Sequence, residues 1–215
     1  MQRRIRYVDV FTAEPYRGNP VAVVLDGEGL SSEAMQRFAR WTGLSETTFV
    51  TPSAHARADY AVRIFTPSSE LPFAGHPTLG TCHAWLAAGS EPRSREVVVQ
   101  ECGVGPVEIR RTSDGLAFKA PPLRRSGTPD ESLVQRVASA LNIDRAEIRD
   151  AEWVDNGPPW IAVLLDDAEA VLALRPGDAG DLFVGTVGLH PPGSPVAIEV
   201  RAFFPKDGGT AEDPV

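Results

Sequence analysis

Arg63-Ile64-Phe65-Thr66-Pro67 and Arg201-Ala202-Phe203-Phe204-Pro205 share the pattern R-x-F-x-P, 138 residues apart. A second matched pair lies upstream. Gly18-Asn19-Pro20 runs into an apolar stretch ending at Asp26, and Gly157-Pro158-Pro159 runs into another ending at Asp166, at an offset of 139. Two segments matching in one order at nearly one offset predict two copies of a supersecondary unit. After the first R-x-F-x-P the chain passes through Gly75-His76-Pro77-Thr78 into an apolar segment. After the second it reaches Glu212-Asp213-Pro214-Val215, where the sequence ends. Set against each other, these stretches align Asp213 with His76 and leave the second copy without the matching helix. The expectation is an α+β chain of two domains, residues 1–122 and 128–215, the second incomplete at its C-terminus.

The segments around the repeat read as β-rich. Residues 4–11 alternate as a half-buried strand, and the β-branched run 21–25 reads as a strand buried on both faces. Ser31 or Ser32 caps a helix whose Met35, Phe38, Ala39 and Thr42 share one face, with Gly43 as its stop. Strands follow at 46–51 and 59–65. The helix at 77–88 is apolar on nearly all sides and so must be surrounded by protein; strands wrapped around it would satisfy that. Residues 97–101, 106–110 and 115–119 form a meander, and Pro121 to Gly127 reads as a linker. Thr128-Pro129-Asp130-Glu131 reads as a capping box opening a helix with one apolar stripe. Strands at 151–154, 160–165 and 196–204 follow, with a short helix near 167–174 and a loop at 189–195.

Composition excludes several classes. Apolar residues make up 42% of the chain and charged residues 23%, as in globular proteins. The nineteen glycines and nineteen prolines are scattered between short apolar runs, as turns of a β-rich fold require. A net charge of −8 without a basic stripe opposes nucleic-acid binding. No apolar stretch approaches the ~20 residues of a membrane span, and Tyr7-Val8-Asp9 breaks any signal-type core. Cys82 and Cys102 make no disulfide framework, so a cytoplasmic protein is expected.

Few residues are placed to carry chemistry. Glu46 stands between a helix end and a β-branched strand, where partial desolvation would raise its pKa toward the general acid/base range; an exposed turn glutamate is the plainer reading. His76 opens the apolar helix, whose N-terminus favours bound anions and a neutral imidazole; a local turn hydrogen bond is its alternative. Asp213 could face the cleft between domains or cap a following helix. His76 and His83, two turns apart, make a poor zinc site without carboxylates beside them. Cys82 reads as a small buried hydrophobe and Cys102 as a turn residue of low reactivity. No nucleophile elbow, P-loop or dinucleotide fingerprint is present.

Together these segments resemble a known family. Asp9-Val10-Phe11-Thr12, Gly18-Asn19-Pro20-x-Ala22-Val23, Leu44 to Val50, the first R-x-F-x-P, Glu70 to Thr81 and Glu212 to Val215 are similar to the PhzF-like isomerases of phenazine biosynthesis. The resemblance implies a diaminopimelate-epimerase-like fold. That fold has two pseudo-symmetric domains, each a β-barrel-like sheet wrapped around a central helix, with the active site in the cleft. It further implies a cofactor-independent, metal-free isomerase that moves a proton between carbons of a small cyclic or unsaturated amino acid in secondary metabolism. The family's characterised reaction is trans-2,3-dihydro-3-hydroxyanthranilate isomerisation. Glu46 matches the proton-transferring glutamate, His76 and Asp213 match residues lining the site, and Ser45, Gly75 and Pro77 are expected to contact substrate. His76 and Asp213 stand where the related epimerases carry cysteines, which disfavours cysteine racemase chemistry. A homodimer is expected by the same resemblance. In the family the Glu-Asp-Pro-Val segment continues as Thr-Gly-Ser-Ala into a second central helix, and that continuation is not in this sequence. A non-catalytic binding or scaffolding homologue is the alternative function.

Overall fold

A computed structural model of the chain describes residues 2–206 and 209–213. It divides into two compact units, Met1–Pro121 and Pro122–Val215. The first unit contains β1 (Ile5–Val10), β2 (Asn19–Val24), α1 (Ser32–Thr42), β3 (Glu46–Thr51), β4 (Tyr60–Phe65), β5 (Glu70–Leu71), α2 (Gly75–Ala87), β6 (Val97–Cys102), β7 (Gly105–Thr112) and β8 (Gly115–Phe118). Its strands form one sheet in the order β1-β2-β3-β4-β6-β7-β8, with β5 added to β4. The pairs β2/β3 and β4/β6 are parallel, joined through α1 and α2 respectively, and the others are antiparallel.

Alternation along the strands sorts side chains between the two helices. Val21, Val23, Val50, Val62 and Ile64 join the core around α2, whereas Val24, Phe49 and Phe65 join Met35 and Ala39 of α1. Val21, Ala22 and Val23 are fully buried because both faces of β2 are covered. Ser31 caps α1 by accepting from the Ala34 N–H, and Gly43 ends it at φ 70°. Helix α2 touches β1, β2, β3, β6 and β8, so the sheet curls around it from one edge to the other. At Gly80 the approach is closest: a Cβ there would stand 2.4 Å from Val21 Cγ1.

The second unit contains α3 (Glu131–Leu141), a 3-10 turn (Arg145–Glu147), β9 (Asp150–Trp153), β10 (Trp160–Leu164), α4 (Ala168–Ala173), β11 (Phe183–Leu189), β12 (Ile198–Lys206) and β13 (Gly209–Glu212). The sheet order is β13-β12-β11-β10-β9, with only β10/β11 parallel, joined through α4. Val134, Val137 and Leu141 of α3 and Val171 of α4 share one core with Ile161, Val163, Val184 and Phe203. A sheet curled around a central helix is therefore a feature of the first unit; in the second, among the described residues, α3 and α4 pack on one sheet face. The capping box expected at Thr128 is not formed. Asp130 is the N-cap of α3, without a side-chain bond, and a capping box stands instead at Asp144 and Glu147. Strand β11 was not expected, because Gly185 and Gly188 interrupt its apolar pattern. Gly188 is required there, since a Cβ would lie 2.1 Å from the Asp167 carbonyl oxygen.

Strand pairing registers the two copies. Val21 lies opposite Glu46 as Trp160 lies opposite Phe183, and Thr47 opposite Phe65 as Val184 opposite Phe203. Phe65 lies opposite Glu70 as Phe203 lies opposite Glu212. Arg63 forks onto Glu70 at 2.7 and 2.6 Å with its guanidinium 5.1 Å from the Phe65 ring centre. Arg201 forks onto Glu212 at 2.7 and 2.8 Å, 5.0 Å from the Phe203 ring. The counterpart of Asp213 is thus Leu71. Aligning it with His76 was out of register, because the arginine forks pair Glu212 with Glu70. The counterpart of Glu46 is Phe183.

Candidate active site

Glu46 opens β3 directly after the α1 stop and the half-buried Ser45. On this strand Thr47 and Phe49 turn toward α1, where Thr47 Oγ1 lies 2.9 Å from Thr42 Oγ1. Glu46, Thr48 and Val50 take the opposite face, toward α2. There His76, the second residue of α2, brings its Nε2 to 3.4 Å from Glu46 Oε2. That is longer than a well-formed N–H···O bond, a spacing common at acid/base groups before substrate binds. The His76 side chain is 7% exposed and that of Glu46 13%. Burial pushes the imidazole pKa down to about 4, so the ring is neutral at physiological pH.

The start of α2 completes this end of the core. Ala74, the N-cap, is extended and offers no side-chain cap. A helix N-terminus of this kind is one that favours an anionic group. Pro77 is buried in the first turn, where its missing N–H is no loss. Gly75 leaves room for the Phe118 ring, whose Cζ would be 3.3 Å from a Cβ at that position. Asn19, at the start of β2 and two residues before the partner of Glu46, is fully buried. It belongs to the Gly18-Asn19-Pro20 motif, where a polar residue opening a buried strand was the available signal of a role in this core.

Other polar side chains inside this core carry no signal in the sequence. Thr81 Oγ1 donates to Thr48 Oγ1 at 2.8 Å. Tyr60 Oη donates to Gln100 Oε1 at 2.9 Å, Gln100 Nε2 donates to Thr78 Oγ1 at 3.2 Å, and Thr78 Oγ1 donates to the Ala74 carbonyl at 2.9 Å. Burial pushes the Cys82 thiol up to about 12, leaving it an inert hydrophobe. His83 is exposed, two turns from His76. Among the described residues no three His, Cys, Asp or Glu side chains converge as a metal site, and no helix is long and apolar enough to cross a membrane. Asp213 lies in the second unit, half-buried after β13, its N–H donating to the Ala202 carbonyl at 2.8 Å. Pro214 and Val215 of its motif fall outside the described residues.

A family model described as phenazine biosynthesis-like protein, PhzC-PhzF, matches residues 8–215. The chain belongs to the PhzC-PhzF family. Trans-2,3-dihydro-3-hydroxyanthranilate isomerase of Pseudomonas aeruginosa is 39% identical over 180 residues, covering 80% of this chain and 61% of that protein. Antisense-enhancing sequence 1 of Schizosaccharomyces pombe is 40% identical over 185 residues, covering 81% and 62%. The chain spans about three-fifths of the length of such curated relatives. A PhzF-family phenazine biosynthesis protein of Bacillus anthracis shares the fold at TM-score 0.79 and 24% identity, over 100% of this chain and 76% of that one. A hydroxyproline epimerase of Agrobacterium vitis shares it more distantly, at TM-score 0.51 and 14% identity, over 92% and 69%.

Proposed function

We propose that this protein carries PhzF-type isomerase chemistry, with Glu46 as its acid/base. In this reading Glu46 takes a proton from an activated C–H of a small cyclic or unsaturated amino acid. The electron pair delocalises into the adjacent unsaturated system, and the same carboxyl returns the proton to a different carbon. No electrons are gained or lost, and no cofactor is called for. The observation that carries the reading is the buried Glu46–His76 pair at 3.4 Å. A carboxyl in that setting is shielded from water, and a neutral imidazole beside it can orient it without trapping it in an ion pair. The Gly75 N–H at the α2 terminus is suited to the substrate carboxylate, with Ser45 and Pro77 lining the approach. Asp213 is assigned a part in holding substrate polar groups, and a homodimer is inferred, both by resemblance to the family. The 39% identity to an isomerase supports the reaction class.

The test uses trans-2,3-dihydro-3-hydroxyanthranilate in deuterated water, followed by mass spectrometry for product and for deuterium gained at carbon. Glu46→Gln is expected to lower turnover by about 10²–10⁴-fold while ligand affinity and melting temperature stay near those of the parent protein. Undiminished turnover in that variant removes Glu46 from the mechanism.

A further inference from the structure

Helix α2 is buried on nearly every side, and its apolar residues point in all directions. Packing therefore constrains the rotation and depth of this helix only loosely, through the exposed His83 and the close approach of Gly80 to Val21. Yet a slip of one turn would carry His76 about 5.4 Å from its place beside Glu46. Contacts with direction add to the Gly80 approach in setting the register. Two polar side chains of α2, Thr78 and Thr81, are completely buried, and each bonds to a different strand. Thr81 reaches Thr48 on β3, two residues from Glu46 on the same strand face. Thr78 ends the chain from Tyr60 on β4 through Gln100 on β6, and its own O–H donates to the Ala74 carbonyl. The peptide whose carbonyl accepts that bond is the one that carries the Gly75 N–H, and a bond at its oxygen strengthens the N–H as a donor. Buried polar groups are costly to leave unpartnered, so these bonds hold only while α2 keeps one register, which makes them directional where apolar packing is not.

We propose that the Thr48–Thr81 bridge and the Tyr60–Gln100–Thr78 chain are positioning contacts that fix the rotation and depth of α2, and so hold His76 beside Glu46 and set the direction of the Gly75 N–H. The catalytic importance of that placement rests on the function proposed above; the placement itself does not. The test compares Thr48→Val, Thr81→Val and their double variant in the full chain. Each single variant strands one hydroxyl and is expected to melt lower. The double variant removes both hydroxyls and is expected to recover most of that loss. A role in stability alone would end there. A positioning role predicts that the double variant still shows a displaced or broadened His76 imidazole resonance by NMR. It also predicts kcat reduced about 10- to 100-fold with KM changed far less. Thr81→Ser, which keeps the hydroxyl, is expected to restore both readouts. A folded double variant with the parental His76 resonance and parental kcat overturns the inference. Should the double variant not fold, Tyr60→Phe decides by the same readouts. If the parent protein itself shows no turnover, the proposed function fails, and the His76 resonance still decides this inference.

Discussion

Glu46 and His76 meet because two short stretches of sequence end in the right places: Gly43 stops α1 three residues before Glu46, and Ala74 leaves extended backbone before α2. The pair also has a consequence for stability. His76 has an ordinary pKa of 6.5, lowered to about 4 by burial. Between those values the unfolded chain binds the proton and the folded chain does not, so stability falls as pH drops through that window. The full penalty, reached below about pH 4, is about 3 kcal/mol. We therefore expect urea midpoints to decline from pH 6.5 to pH 4, and His76→Asn to flatten that part of the profile. The measurement is a series of urea titrations of both proteins, and parallel profiles would contradict this account of His76. In the second copy Phe183 occupies the Glu46 position, and it packs edge-on against Trp160 with ring centres 5.4 Å apart.

Helix α2 and the strands it touches were readable from the sequence because an all-round apolar helix has one physical solution, enclosure, and a continuous β-branched run such as Val21 to Val24 has another, cover on both faces. Strand β11 was not readable, since its glycines break the apolar pattern and one of them, Gly188, serves a close approach to Asp167 that no local pattern announces. The buried hydroxyls of Thr48, Thr78 and Thr81 escaped for a related reason: their partners are set by helix register. Gly80 tests the enclosure directly. Val21 is stiff and fully buried, so Gly80→Ala would overpack the helix–sheet contact by about 1–3 kcal/mol despite its gain in helix propensity. A fall in melting temperature checks this, and an unchanged or raised value would show that α2 can shift. The arginine forks are a second device of this kind. Arg201 also donates to the Val171 and Leu174 carbonyls at the end of α4, at 3.2 and 3.0 Å. Arg201→Ala should therefore cost about 2 kcal/mol, and Arg201→Lys should recover little of it, because an ammonium cannot span the fork. Denaturant midpoints of the two variants decide this.

One strand plan was used twice in this molecule, and the repeated R-x-F-x-P makes that plan visible in the sequence itself. The motif is the visible part of a working contact, in which the arginine stacks on the aromatic ring and clamps a glutamate on the neighbouring strand. Its glutamates, spaced differently from the arginines in the two copies, are what the sequence alone did not register, and so Asp213 was matched to the wrong partner. The plan also bears on how the chain folds. The first unit holds two apolar clusters drawn from residues 8–118, one around α2 and one under α1, and its sheet is continuous without any strand from beyond Pro121. A segment of this length with its own core is long enough to fold alone. We expect residues 1–121, expressed by themselves, to give a single cooperative thermal transition by circular dichroism, with a dispersed NMR spectrum in which His76 keeps the environment it has in the full chain. A non-cooperative melt would mean that the curl of the sheet around α2 depends on the second unit. The Glu46–His76 pair would then be a property of the whole chain, set only when both copies are present.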